Sequence, residues 1–515
     1  MLQKCLFCYP LFIANYFLKK IGWLTTKFIF IVLFLLTLFL LPRMFNLGND
    51  ISNSDALRWH RRSDKFLSAL KTGDFKQTFQ RYHPGVTVMW IGATSELALY
   101  KYQQIKGEEV GTLENTGFFP RLHGLSKLLL VLALATSFVL QLYLVRELFG
   151  RSTAAIYGFL ISLEPYFIGI NRWFHLSSME AFFSITSVLL LLVFLKREKF
   201  RYLLLSGIFA GLGLLTKMTV FITVMFSILL LFYGVYEGKI RFKVLFLYMV
   251  AAAMTFFVFF PALWVAPLFV FSNMYSAVFN AVFSDIRGEI FTLPQKIFYY
   301  PIILAFKLSP LILLAGIYSL FKTCKEKKGN RNRNTLVIGV YFIFLVIFLT
   351  LTDQKIDRYS VALFPSLIML VSIVFSKLKR RWQVILLSAQ VVTFIWATGI
   401  FYPVYSAYIN PLFGHNFILE AGFYENSGEY YSNAAYYLNT RGRDVSTQVP
   451  NNIESFKPYY KGNLTPNAED ADYVVYGMDF DRKAFPVIDG CKIEHYFGNK
   501  LYKPVAVYAC NKVKI

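Results

Sequence analysis

"SDALRWHRRSDKFLSALKTGDFKQTFQRYHPGVTVMW", from Ser54 to Trp90, is a polar stretch set directly behind a hydrophobic one. It is dense in Asp, Arg and His, whereas most of the chain up to Tyr402 reads as apolar runs too long for soluble core helices. A long polar loop between membrane helices is where a site is expected, because loops carry the groups that a rigid scaffold positions. Its first carboxylate, Asp55, is followed closely by Arg58, Arg61 and Arg62, a layout that suits a base beside an anion.

Working outward, composition sets the class. The chain is 56% hydrophobic and 16% charged, with mean hydropathy +0.49, which describes an integral membrane protein. A first span near Lys27 to Leu41 follows Lys19 and Lys20 and ends at Pro42-Arg43 without a small-residue cleavage site, so it reads as a retained transmembrane helix. Further spans fall near 128–145, 153–170, 179–195, 202–216, 219–236, 244–263, 298–321, 335–352, 359–376 and 383–402. The expected total is about eleven.

Basic residues test the topology, since short cytoplasmic loops collect Lys and Arg. Arg146 and Arg151, "KREKFR" (Lys196 to Arg201), the Lys239 to Lys243 group, "KTCKEKKGNRNR" (Lys322 to Arg333) and "KLKRR" (Lys377 to Arg381) occupy every second loop. The pattern places the protein in the cell membrane, multi-pass, with its N-terminus cytoplasmic. The formal charge of +23 is then largely topological, and inner loops meet anionic headgroups of membrane lipids. No nucleic-acid module appears, which argues against nucleic-acid partners.

An odd number of spans sends the C-terminus outside, and the composition shifts at Tyr402. The expected organisation is a transmembrane domain over 1–403, with a first outer loop at 43–127 holding juxtamembrane helices, and an extracytoplasmic α/β domain over 404–515. The strand-like runs "ADYVVYGM" (Ala471 to Met478) and "KPVAVYAC" (Lys503 to Cys510) lie in the latter. An oxidising compartment would allow Cys491 and Cys510 to pair, whereas Cys5, Cys8 and Cys324 fall on the inner side. Cys5 and Cys8 lack the second pair that a zinc site needs.

Four groups of polar residues fall at outer ends of spans, where charge is costly and needs a reason. In the first, Asp50 and Asp55 precede Arg58, Arg61 and Arg62; Arg58 and Arg62 share a helical face with Asp55, while Trp59, Phe66 and Leu70 form a stripe suited to the bilayer surface. In "RYHPGVTVMW", Pro84 and Gly85 fix a turn that holds His83 at a helix start, which favours substrate orientation over general base. "NRWFHLSSMEAFF" supplies Arg172, His175 and Glu180 as substrate-binding candidates; alternatively Ser177 or Ser178 caps a helix and Glu180 sits in its first turn. The last group is Lys217 with Asp353, Lys355, Asp357 and Arg358; a phosphate at the bilayer surface needs such cations, though either may snorkel or pair with a carboxylate. "DIRGE" (Asp285 to Glu289) is a weaker acidic candidate.

The single first-loop carboxylate, the "HPG" turn, "NRWFH", "GLLTK" (Gly213 to Lys217), "DRYSVALFPSL", "YPVYSAYINPLFG" (Tyr402 to Gly414) and "NAAYYLN" (Asn433 to Asn439) resemble, in order and membrane side, the polyprenyl-phosphate-sugar-dependent glycosyltransferases of the GT-C fold. The chain is most similar to relatives of protein O-mannosyltransferases and the lipid A aminoarabinose transferase. The resemblance implies an inverting transferase that moves a sugar from a polyprenyl-phosphate carrier to a protein, lipid or glycan acceptor. Asp55 matches the catalytic base, with Arg58, Lys217 and Arg358 expected on the donor phosphate. A lipid phosphate is already a good leaving group, so no metal is obligatory. Two departures stand out: Ala56 follows Asp55 where a second acid is common, and Ser177 stands where the family often has Asp. A lipid-linked sugar flippase or transporter would place charge deep within the bundle. A non-catalytic envelope-assembly protein would give no reason for these residues to share one face.

Overall fold

The computed structural model describes residues 26–49, 53–114, 116–283, 290–325 and 332–511. Asp50, Cys5, Cys8, Lys19, Lys20 and the "DIRGE" segment lie outside the described residues. The protein is mostly α-helical. In chain order the helices are α1 (Thr26–Met44), α2 (Asp55–Thr72), α3 (Val86–Lys106), α4 (Phe118–Phe149), α5 (Arg151–Ser162), α6 (Pro165–Asn171), α7 (Leu176–Arg197), α8 (Phe200–Thr216), α9 (Phe221–Tyr236), α10 (Phe242–Phe259), α11 (Ala262–Val265), α12 (Pro267–Phe283), α13 (Leu293–Lys307), α14 (Pro310–Lys325), α15 (Arg333–Thr350), α16 (Phe364–Ser376) and α17 (Arg380–Phe401).

Seven helical segments among the described residues are long and apolar enough to cross a membrane, or eight if α5 and α6 are one broken span; α1 and α8 are shorter apolar helices. The segments at Leu176–Arg197 and Asp357–Ser376 are each 94% buried, against 17% for α17. α7 and α16 therefore form the centre of the bundle, and α17 faces outward.

One expected span, 298–321, is two helices. Pro310 has no N–H to donate and disfavours helix at Ser309, so α13 ends at Lys307 and α14 restarts at Pro310. The expected span at 153–170 also breaks, with a 71° bend between α5 and α6. The two breaks meet at Glu164, whose carboxylate accepts Ser309 N–H at 2.8 Å and Ser309 Oγ–H at 2.7 Å. Gln390 covers the adjacent Leu163 carbonyl at 3.1 Å. Backbone groups freed by the breaks are thus satisfied inside the protein, as a membrane interior demands.

Beyond α17 come short helices and a five-stranded sheet: β1 (Ser446–Gln448), β2 (Asn463–Leu464), β3 (Tyr473–Gly477), β4 (Cys491–Phe497) and β5 (Val505–Cys510), in the order β2-β1-β3-β5-β4. β1 runs parallel to β2 and β3, and β5 antiparallel to β3 and β4. Val475 faces Val507 across β3 and β5, both buried, and a Cys491–Cys510 disulfide joins β4 to β5. This region packs over α2. Arg61 Nη1 donates to Glu454 Oε1 at 3.1 Å, and Tyr459 Oη–H donates to Gly48 O at 2.7 Å.

The apolar stripe of α2 turns inward rather than onto a bilayer. Trp59 and Phe66 are buried, Phe66 lies edge-on to Trp90 of α3, and Arg62 stacks over Trp59. Protein packing competes successfully with lipid for this face because α3 offers aromatic partners.

Candidate active site

Asp55 opens α2. Its N–H donates to Asn53 Oδ1 at 2.9 Å, and the N–H of Ser54 donates to Ser427 O at 2.7 Å, so the helix start is fixed from both ends of the chain. Around the carboxylate stand three nitrogen groups. Arg358 Nη2 donates to Oδ2 at 3.0 Å, Arg58 Nη1 donates to Oδ1 at 3.3 Å, and His175 Nε2 is 3.6 Å from Oδ2. Burial pushes the Asp55 carboxyl up, but Arg358, then His175 and Arg58, outweigh it and hold it well below the usual carboxylate range.

His175 caps α7. Its Nδ1 accepts the N–H of Ser177 at 3.3 Å, which leaves the ring proton on Nε2, facing Asp55. Burial pushes its pKa down to about 4, so the ring is neutral at pH 7. Neither serine supplies the cap: Ser178 Oγ–H instead donates to Ile170 O at 2.8 Å. Glu180 pairs with Lys217, Nζ lying 2.8 Å from Oε2, and accepts the Thr219 hydroxyl on its other oxygen. Lys217 Nζ is also 3.6 Å from the Tyr359 ring centroid.

The "HPG" turn brings His83 to this group. Gly85 has φ +60°, and a Cβ there would lie 2.1 Å from the Trp59 ring, so the position needs glycine twice over. Gly85 N–H donates to Thr216 O at 3.2 Å, one residue before Lys217, and Thr87 Oγ1 meets Thr216 Oγ1 at 2.8 Å. Neither ring nitrogen of His83 has a hydrogen-bond partner among the described residues. Burial, with Lys217, His175, Arg81 and Arg358 nearby, holds its pKa well below the ordinary histidine value.

His83 also lines a cavity of about 1100 Å³ between α9, α10, α12 and the end of α15. Its walls are largely apolar, with Phe256, Phe271 and Met274 among them. Its polar lining groups include Tyr82 and His83 at the "HPG" turn, Thr219 beside Lys217, and Gln354 and Tyr359 beside Arg358. A long apolar molecule with an anionic end fits such a chamber.

Arg172 does not join the cluster. It donates to Pro42 O and Phe45 O, each at 2.9 Å, and so ties its loop to the end of α1. Arg43 does similar work, binding Asn171 Oδ1 and the carbonyls of Phe39, Ile161 and Ser162. Arg58 lies on an exposed flank of Asp55, away from burial. Asp353 pairs with Lys296, Lys355 binds carbonyls at the end of α15, and Asp357 pairs with Lys307 at 3.3 Å.

One member was not expected from sequence. Glu425 Oε2 accepts the Asp357 N–H at 3.0 Å, and its Oε1 stands 3.8 Å from Arg358 Nη1. Arg358 therefore lies between Asp55 of the first loop and Glu425 of the C-terminal region. The run "GFYENSGEYY" (Gly422 to Tyr431), two acids in an aromatic setting, was the only available signal.

Part of the chain matches a glycosyltransferase family, and its fold is similar to that of solved membrane glycosyltransferases. Residues 126–264, from within α4 to α11, match the family described as dolichyl-phosphate-mannose-protein mannosyltransferase. Among solved structures, the fold is shared with the Archaeoglobus fulgidus oligosaccharyltransferase tethered with an acceptor peptide, at TM-score 0.50 and 13% identity, covering 88% of this chain and 70% of that one. ArnT from Cupriavidus metallidurans bound to undecaprenyl phosphate aligns at TM-score 0.48 and 14% identity over 84% of this chain and 74% of that one. AglB from Archaeoglobus fulgidus in complex with an inhibitory peptide and a dolichol-phosphate aligns at 0.47 and 11%, over 88% and 69%. No curated protein matches in sequence.

Proposed function

We propose that this protein transfers a sugar from a polyprenyl-phosphate carrier to an acceptor hydroxyl at the extracytoplasmic face, by inverting displacement with Asp55 as base. The observation that carries the reading is the Asp55–Arg358 pair beside a large apolar cavity. The carrier chain occupies the cavity, and its phosphate meets Arg358 and Lys217. Arg358, drawn to the phosphate, loosens its hold on Asp55, whose basicity rises as the acceptor hydroxyl arrives. Lys217 and Arg358 then take up the charge that develops on the leaving phosphate. Neutral His83 and His175 orient: His83 has two uncommitted ring nitrogens facing the carrier, and His175 steadies Asp55.

The basic loops at the other end support this face, as does the Cys491–Cys510 disulfide, which an oxidising compartment sustains. No metal is needed for this chemistry because the phosphate leaves as a stable anion. Purified protein, offered a panel of labelled polyprenyl-phosphate sugars, is expected to transfer one of them with inversion, and to do so undiminished in EDTA. Retention of anomeric configuration, or no transfer from any such donor, would overturn the reading; loss in EDTA restored by a divalent cation would overturn its metal-free form.

A further inference from the structure

From Arg358 the chain runs through a 3₁₀ turn and α16 to Ser376, about 30 Å away at helical rise, to the end of the bundle opposite the site. There α14, α16 and α17 enclose a groove of about 330 Å³, lined by Leu311, Ala315, Tyr318, Phe375, Leu378 and Leu386 among others. Its rim is cationic. Leu378 stands between Lys377 and Lys379, Arg380 and Arg381 follow, Lys325 ends α14, and Lys322 Nζ is 5.8 Å from the Tyr318 ring centroid. Among the described residues, no carboxylate lies within ion-pair distance of Lys322, Lys325, Lys379, Arg380 or Arg381. The rim is held in place, since Gln383 Nε2 donates to the carbonyls of Phe375, Ser376 and Leu378 at 3.2, 3.3 and 3.1 Å.

We propose that this groove is a site for one anionic phospholipid, with an acyl chain between α14, α16 and α17 and the headgroup on the Lys379–Arg381 rim. Basic loops alone follow from topology, but topology asks only for charge, not for a preformed apolar groove beneath it. A zwitterionic phospholipid offers the same chain without net charge to answer the rim, and free phosphate offers no chain. The inference is independent of the proposed reaction.

The test uses the full chain reconstituted in vesicles of equimolar phosphatidylcholine and phosphatidylglycerol, then extracted for native mass spectrometry. One phosphatidylglycerol is expected to be retained at least tenfold over phosphatidylcholine, and to raise the unfolding temperature in detergent. Both effects should be lost in the triple variant Lys379→Gln, Arg380→Gln, Arg381→Gln, and in Ala315→Trp, which fills the groove and leaves every charge in place. Equal retention of the two lipids by the wild-type protein overturns the site without reference to any variant. So does retention unchanged in either variant, with Ala315→Trp separating a groove from mere surface attraction.

Discussion

Arg358 Nη2 lies 3.0 Å from Asp55 Oδ2, which binds together the two residues that the proposed reaction needs to part. A carboxylate held this way is ionised but weakly basic, so it spares stray protons and gains strength only when another anion claims the guanidinium. That competition makes the role of each partner separable by substitution.

Asp55→Asn removes the base while keeping size and most hydrogen bonding. Turnover is expected to fall by roughly two to four orders of magnitude, with carrier binding retained or improved because Arg358 is released. Near-normal turnover in a labelled-donor assay would take Asp55 out of the role.

Arg358→Ala is expected to weaken donor binding and catalysis together, since a charge-assisted bond to phosphate exists in the ground state and strengthens as the phosphate leaves. Arg358→Lys should recover part of the loss, keeping charge without the planar fork. Donor KM and kcat measured for both variants check this; unchanged KM in Arg358→Ala would place the phosphate elsewhere.

Glu425→Gln takes one carboxylate away from Arg358 and tightens its pair with Asp55. A fall in kcat of about tenfold is expected, with a much smaller change in unfolding temperature. If kcat and the pH profile match the wild type, Glu425 serves only to hold the Asp357 N–H.

Buried histidines give the protein an acid limit. Burial, with Lys127 nearby, lowers the His60 pKa to about 3, and burial, with Lys307 nearby, lowers that of His415 to about 4. Unfolded histidine takes up its proton near pH 6.5. Between that value and about 4 the unfolded chain binds protons that the folded one refuses, so stability present above pH 6.5 is lost as pH falls. The unfolding temperature should drop by several degrees from pH 7.5 to 5, and His415→Gln should flatten the slope.

Sequence made the membrane class legible because apolar runs and basic loops are local signals. It also located Asp55, His83, His175, Lys217 and Arg358 at chain positions that the fold gathers. What it could not supply was partnership. Lys217 and Glu180 are 37 residues apart, and Arg358 and Asp55 are 303 apart, so whether a cation is committed to a carboxylate depends on packing. Arg172 shows the same limit in reverse: its loop is polar and well placed, yet its guanidinium binds the carbonyls of Pro42 and Phe45 at the end of α1. The break at Ser309-Pro310 was visible as a proline, but its tolerance rests on Glu164, 145 residues away.

The backbone bond from Ser54 to Ser427, with Glu425 two residues earlier on Arg358, also bears on how such a chain can be recombined. The C-terminal region is not an accessory that can be exchanged for another protein's at a convenient linker. A hybrid that keeps this first loop and imports a foreign tail would inherit a helix start without its clasp and an arginine without its second carboxylate. Only grafts that carry residues 53–90 and 423–430 as one unit preserve the geometry around Asp55.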